Sequence, residues 1–342
     1  MCWQQTTKMT RAVRFEVSLD GSAVIAAAPH VEPPSPPAPC SDLDCFTQLV
    51  RARADEHRTV VLAMTNAGFA PFWHNLRCSL ERQNVSQHAI IIGTDAAACE
   101  AAASVTVPCV VGGEGLLWDD ASAGSSRTGD LSQRVERHGT AAYARLMHIK
   151  ARPALEALRL GYHLIFTDTD VVWLRNPLCE LRRGALGRAL AAGELDVLIQ
   201  SDYDESNEAQ CSSHEQCGRS SWCDVAAGRC EAEACGGFYL LRAGQPAIAM
   251  LESLFARMAW QRLHVDERLG EQPALNYVLR RTPGMRYRIL PREEYPNGNS
   301  YFLRRVWPAA RTASGQPRAK SIIPTIVHNS AKSGSLTRPA KP

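Results

Sequence analysis

Short runs of apolar residues that stop abruptly at polar ones constrain this chain most. Val60-Val61-Leu62-Ala63-Met64 breaks off into Thr65-Asn66-Ala67-Gly68, and Ala89-Ile90-Ile91-Ile92 into Gly93-Thr94-Asp95. His163-Leu164-Ile165-Phe166 runs into Thr167-Asp168-Thr169-Asp170, and Asp196 to Ile199 into Gln200-Ser201-Asp202. Runs this short with no polar alternation are strands buried on both faces. Val105 to Val111, Phe238 to Leu241 and Ile322 to Val327 read as further strands. Helical spacing marks residues 70–81, 245–262 and 271–281, and a longer helix carrying Tyr143, Leu146, Met147, Ala154, Leu155 and Leu158. Gly161 is placed to cap that helix, and Pro153 predicts a kink or a split within it. Residues 113–138 read as a loop.

Strands alternating with helices give a mixed α/β fold, a mostly parallel sheet covered on both faces. Ligands of such sheets bind beyond the carboxyl ends of the strands. Thr65, Asn66, Asp95, Asp168, Asp170, Gln200, Asp202 and His328 all fall at those ends. Thr65 and Asn66 also suit helix capping, and a histidine is by default structural.

The rest of the sequence sets the context. Hydrophobic residues make up 45% of the 342 residues and the net charge is only +3, with no basic arm, which argues against nucleic acid as a partner. Twelve cysteines suit an oxidising compartment. Cys211, Cys217, Cys223 and Cys230 crowd a polar insert at about 203–234, read as a disulfide-stapled loop. Zinc is the rival, though no C-x-x-C pair is present. Asn84-Val85-Ser86 is a glycosylation sequon. Residues 1–56, with the proline-rich 33–39 stretch, read as a largely irregular stem, 57–332 as the catalytic domain and 333–342 as a tail. No apolar run approaches the roughly 20 residues of a membrane span, so membrane attachment would need an anchor not visible in this sequence.

Asp168 and Asp170 carry the chemistry. If the strand continued, both carboxylates would point to one face and repel unless a cation joined them. Alone, such a pair is often only a turn. Here Val171-Val172-Trp173-Leu174 follows at once, so the charges are embedded at the edge of the core. A hard divalent ion on two carboxylates, completed by phosphate oxygens, is the matching chemistry.

The stretch from Gly161 to Pro177, GYHLIFTDTDVVWLRNP, resembles the signature of the plant and algal nucleotide-diphospho-sugar transferases. That family includes arabinosyl-, xylosyl- and galactosyltransferases, and the resemblance extends from about Thr59 to His328. It implies a GT-A fold, a UDP-sugar donor, Mn²⁺ (or Mg²⁺), retention of anomeric configuration, a glycan or glycoprotein acceptor and a secretory, Golgi-lumen setting. By the same resemblance, Asp170 is a direct metal ligand, Asp168 is shared between metal and donor, and His328 completes the metal sphere. Thr65, Asn66 and Asp95 cradle the nucleotide. Lys150, otherwise an ordinary helix lysine, lies near the diphosphate, and Gln200 and Asp202 lie near the sugar. Gly237 belongs to a segment that often reads Asn-x-Gly-Phe, and Glu271 and Gln272 line the donor sugar. Gln272 or Glu271 would steady the positive sugar, and a covalent intermediate on Glu271 or Asp202 is the variant mechanism. Two departures stand out: Cys235 where Asn is common, and Glu271 for Asp. The rival functions are a metal-dependent phosphohydrolase and a non-catalytic carbohydrate-binding protein on a transferase scaffold.

Overall fold

In the computed structural model the residues described are 39–40, 42–111, 140–202, 221–224, 229–266, 269–298, 301 and 324–328. In chain order they form α1 (Leu43–Arg53), β1 (Thr59–Thr65), α2 (Ala70–Arg82), β2 (Ala89–Gly93), α3 (Ala96–Ala103), β3 (Cys109–Val111), α4 (Ala141–Arg159), β4 (His163–Thr167) and β5 (Val171–Trp173). Then come α5 (Pro177–Arg183), α6 (Ala185–Ala191), β6 (Val197–Ser201), β7 (Ser221–Asp224), β8 (Arg229–Ala232), β9 (Ala234–Leu241), α7 (Gln245–His264), α8 (Glu271–Leu279), β10 (Tyr287–Ile289) and β11 (Ile326–His328).

Seven strands make one sheet in the order β10-β6-β9-β4-β1-β2-β3. Every neighbouring pair is parallel except those of β9, which runs antiparallel to both β4 and β6. The expected mostly parallel α/β sheet is therefore present. Its central strands are largely apolar because both faces are covered. Val60, Leu62, Ile90, Ile92, Leu164 and Phe166 enter the core on one side. Val61, Ala63, Ile91 and Ile165 enter the core on the other.

The helices begin and end where their chemistry dictates. Asp42, Asp95 and Thr140 cap α1, α3 and α4 through side-chain oxygens that accept from Cys45, Ala98 and Tyr143 N–H groups. At the end of α4, Gly161 takes φ +80°, Gly161 N–H donates to Leu158 and Tyr162 N–H to Ala157. This is a Schellman close, for which glycine has no steric penalty. Pro153 does not split α4, which runs unbroken from Ala141 to Arg159. Ala151, Ala154, Leu155 and Leu158 around it are all buried, and that packing outweighs one lost hydrogen bond.

Three other elements differ from expectation. Within the stretch to residue 56, α1 puts Phe46 and Val50 into the core, and Cys40 bridges to Val110. Disulfides Cys40–Cys45 and Cys99–Cys109 fasten this corner. The third strand begins at Cys109 rather than Val105, because Thr106 turns at φ 60° and Pro108 has no N–H. The final strand starts at Ile326, since Pro324 and Thr325 precede it outside the ladder. Helices α3, α5 and α6, too short for their period to show in sequence, were not expected at all. Within the cysteine-rich insert, β7 and β8 pair with Cys223 opposite Cys230. Cys211 and Cys217 lie outside the described residues, as do 113–138 and the tail.

Candidate active site

The carboxyl ends of β1, β2, β4 and β6 share one edge of the sheet, and antiparallel β9 starts at that edge. The acidic pair sits there on a turn, not on a continuing strand. β4 stops at Thr167, Val171 N–H closes back on Asp168 O at 3.2 Å, and Asp168 N–H donates to Gly237 O at 2.7 Å. The turn brings both carboxylates to one side, which strand alternation was expected to do. Both are about one-third exposed.

His328 arrives from the far end of the chain. β11 pairs antiparallel with β5, placing His328 opposite Val171, one residue past the acidic turn. Its Nε2 lies 3.2 Å from Asp170 Oδ1 and 3.9 Å from Asp168 Oδ2. One ligand atom from each of the three residues lies within 4.8 Å of the others. Two partly exposed carboxylates and one buried imidazole are a donor set that fits a divalent cation. Burial alone would push the His328 imidazole down, but Asp170, then Cys235, hold it well above its ordinary range. Burial likewise opposes ionisation of Asp170, and His328 reverses this, so its carboxyl stays below the usual range.

Beside the three donors lies a second charged cluster. Lys150, on α4, is buried. Its Nζ reaches Asp168 Oδ1 at 3.0 Å, Glu271 Oε1 at 2.8 Å and Gly236 O at 2.6 Å, using all three donors. Its ammonium also sits 4.4 Å from the centroid of the Phe166 ring. A surface helix lysine is therefore ruled out. Burial opposes its charge, but Asp168 and Glu271 raise it well above the ordinary lysine range. Glu271 is 5% exposed, and its Oε2 has no hydrogen-bond partner among the described residues. Burial pushes its carboxyl up to about 7 although Lys150 pulls the other way. Tyr143 lies in the same field: burial, then Asp168, raises its phenol. The sequence had shown Tyr143 only as a helix-face residue.

Two glycines make this crowding feasible. A Cβ at Gly237 would overlap the His328 imidazole, and one at Gly236 would lie 2.6 Å from Glu271 Oε1. Gln272 Oε1 accepts from Gly236 N–H at 3.2 Å, and its Nε2 donates to Asp202 Oδ2 at 2.9 Å. Gln272, Asp202, Glu271, Lys150, Gly237, Asp168, Asp170 and His328 thus form one continuous constellation. Gln200, expected near the sugar, reaches His328. It is fully buried, Nε2 donates to Tyr295 O and Pro296 O, both at 3.0 Å, and Oε1 lies 2.9 Å from His328 Nδ1. Thr65, Asn66 and Asp95 form a separate group at the neighbouring strand ends. Asn66 Oδ1 accepts from Phe69 N–H, and Asp95 accepts from Ala67 and Ala98 N–H groups.

The nucleotide-diphospho-sugar transferase family model matches residues 84–338, most of the chain and all of the acidic constellation. The chain belongs to this family. Among the transferase's relatives is the UDP-galactose:fucoside alpha-3-galactosyltransferase of Dictyostelium discoideum, 22% identical over 61% of this chain and 29% of that protein. A beta-arabinofuranosyltransferase of Arabidopsis thaliana is 26% identical over 45% of this chain and 26% of its own length. A UDP-D-xylose:L-fucose alpha-1,3-D-xylosyltransferase of the same plant is 22% identical over 73% of this chain and 61% of its own. The transferase thus matches less than a third of the length of the first two. The solved structure of mouse xyloside xylosyltransferase 1 aligns over 80% of this chain and 97% of that one, at 12% identity and TM-score 0.43.

Proposed function

We propose that this transferase moves a sugar from a UDP-sugar to a glycan or glycoprotein acceptor with retention of configuration, using Mn²⁺ or Mg²⁺. The observation that carries the reading is the meeting of Asp168, Asp170 and His328 at the sheet edge, from strands more than 150 residues apart. These residues would hold the cation, which would supply neutralisation of the diphosphate as it departs. Lys150 keeps Asp168 and Glu271 in place and adds fixed positive charge beside the leaving group. Glu271, Gln272 and Asp202 would line the donor sugar. The ion pair on Glu271 and the amide hydrogen bonds of Gln272 suit groups that steady a positive sugar rather than bond to it. Attack on the face the phosphate leaves is the matching route to retention. Thr65, Asn66 and Asp95 would shape the nucleotide end.

A secretory setting, the Golgi lumen, is part of the proposal. Two disulfides and the exposed sequon at Asn84, on the turn after α2, support it. No helix among the described residues is long and apolar enough to cross a membrane.

The test is a screen of UDP-sugars for Mn²⁺-dependent hydrolysis and transfer, run with the native protein and Asp170→Ala. Turnover in the native protein that the substitution abolishes is expected. Turnover unchanged by Asp170→Ala would reject the cation assignment, and phosphate-ester cleavage without sugar transfer would point to a phosphohydrolase.

A further inference from the structure

We infer that Gln200 is a positioning residue for the cation site: it sets the tautomer of His328, so that Nε2 is the ring atom offered to the ion. The inference rests on the cation site proposed above. It assigns Gln200 a task that does not involve the sugar.

The argument is one of hydrogen-bond arithmetic. Gln200 is fully buried at the end of β6, so a misplaced amide could not turn to bulk solvent. Two carbonyl oxygens, Tyr295 O and Pro296 O, lie 3.0 Å from one end of the amide. Carbonyls only accept, so that end must be the NH₂ group, because the flipped amide would set three oxygens against one another. The other end is therefore Oε1, which also only accepts, and it lies 2.9 Å from His328 Nδ1. Nδ1 must then carry a proton. Cys235 Sγ lies 3.4 Å from the same nitrogen and accepts from Gly237 N–H; a thiol can donate or accept weakly, so the stronger amide oxygen at 2.9 Å sets the proton. The opposite nitrogen, Nε2, is the one that faces Asp170 and Asp168. With the proton fixed on Nδ1, deprotonated Nε2 has its lone pair directed into the carboxylates' side of the site, as a metal ligand requires.

The backbone supports the same alignment. His328 N–H donates to Pro296 O at 3.2 Å, and Asn297 bridges to His328. Gln200 therefore grips the segment that also holds the histidine's main chain. The ring is fixed from both its backbone and its far nitrogen, which leaves the exchangeable ligand face toward Asp170.

Mn²⁺ titration of the full chain, with free Mn²⁺ followed by its electron paramagnetic resonance signal, tests this without any turnover assay. Gln200→Leu is expected to weaken Mn²⁺ binding about 10–100-fold, the range for loss of a partner behind a metal-bound histidine. A Gln200→Leu protein with native circular dichroism and unchanged Mn²⁺ affinity overturns the inference. If Gln200→Leu does not fold, ¹⁵N-histidine spectra of the unsubstituted protein with Mg²⁺ decide. A proton on His328 Nδ1 supports the inference, and a bare Nδ1 with the proton on Nε2 overturns it. Asp170→Asn separates the two layers. Loss of binding there with none in Gln200→Leu rejects the role of Gln200 alone. Unchanged binding in both rejects the cation site itself.

Discussion

The two halves of the sheet edge spend their polar residues differently. At the ends of β1 and β2, Asn66 and Asp95 accept backbone N–H groups, and in doing so tie the loop after β1 to the start of α3. At the ends of β4, β6 and β9, polar side chains pair mainly with one another: Lys150 with Asp168 and Glu271, His328 with Asp170 and Gln200, Gln272 with Asp202. The first half is a structural edge, where side chains satisfy main chain. The second half buries charge that hydrophobic packing alone would never place there. Such an arrangement is stable only while every charged partner is present. The contrast separates residues whose loss should leave the cation site intact from those whose loss should disturb it.

The largest effect is expected in the charged half. Asp170→Ala should lower transfer with Mn²⁺ by on the order of 10²–10³-fold, the range for losing one group that stabilises developing charge, measured as kcat/KM on the active UDP-sugar. Retained activity would break the division between the two halves. Lys150→Met should strand two carboxylates and destabilise the fold by about 3–5 kcal/mol in urea unfolding. Lys150→Met combined with Glu271→Gln should recover part of that loss, because the buried negative charge is removed with its partner.

Glu271 predicts a pH dependence. Its carboxyl is raised from 4.5 to about 7, so the folded protein binds that proton more tightly than the unfolded chain. The stability it contributes is full below 4.5 and is lost as pH rises through about 7. Glu271→Gln should flatten the fall in unfolding free energy across that window, as read from urea midpoints at a series of pH values. An unchanged slope would place the titration elsewhere. The smallest effect belongs to the other half. Asp95→Ala should cost about 1 kcal/mol of stability, as for a lost helix cap, with Mn²⁺ affinity unchanged. A drop in Mn²⁺ affinity would show that the two halves are not separable.

Much of this was legible in sequence for a simple reason. The apolar runs at 60–64, 89–92 and 163–166 are buried on both faces, so composition alone reveals them, and the polar residues that end them mark one edge. Asp168 and Asp170 were legible because a long local motif carries them, and Gly237 because it stands in a short Asn-x-Gly-Phe-like segment. Short helices α5 and α6 were not, since seven residues hardly complete two turns of a period. Nor was the environment of Lys150 or Gln200: neither a buried lysine nor a buried amide announces its partners locally. Cys235 and Glu271 could be seen as unusual choices, but not as neighbours of His328 and Lys150.

The sequence by itself determined the layered α/β class, the edge at which chemistry could gather and the identity of the carboxylates, because these follow from local hydrophobic pattern and motif. Tertiary structure alone decided the rest: the turn that aims both carboxylates to one side, the pairing of β11 with β5 that delivers His328, and the burial of Lys150 between Asp168 and Glu271. Those depend on contacts between separate elements of the fold, and on the free energy of burying charge. Neither is encoded in any window of neighbouring residues.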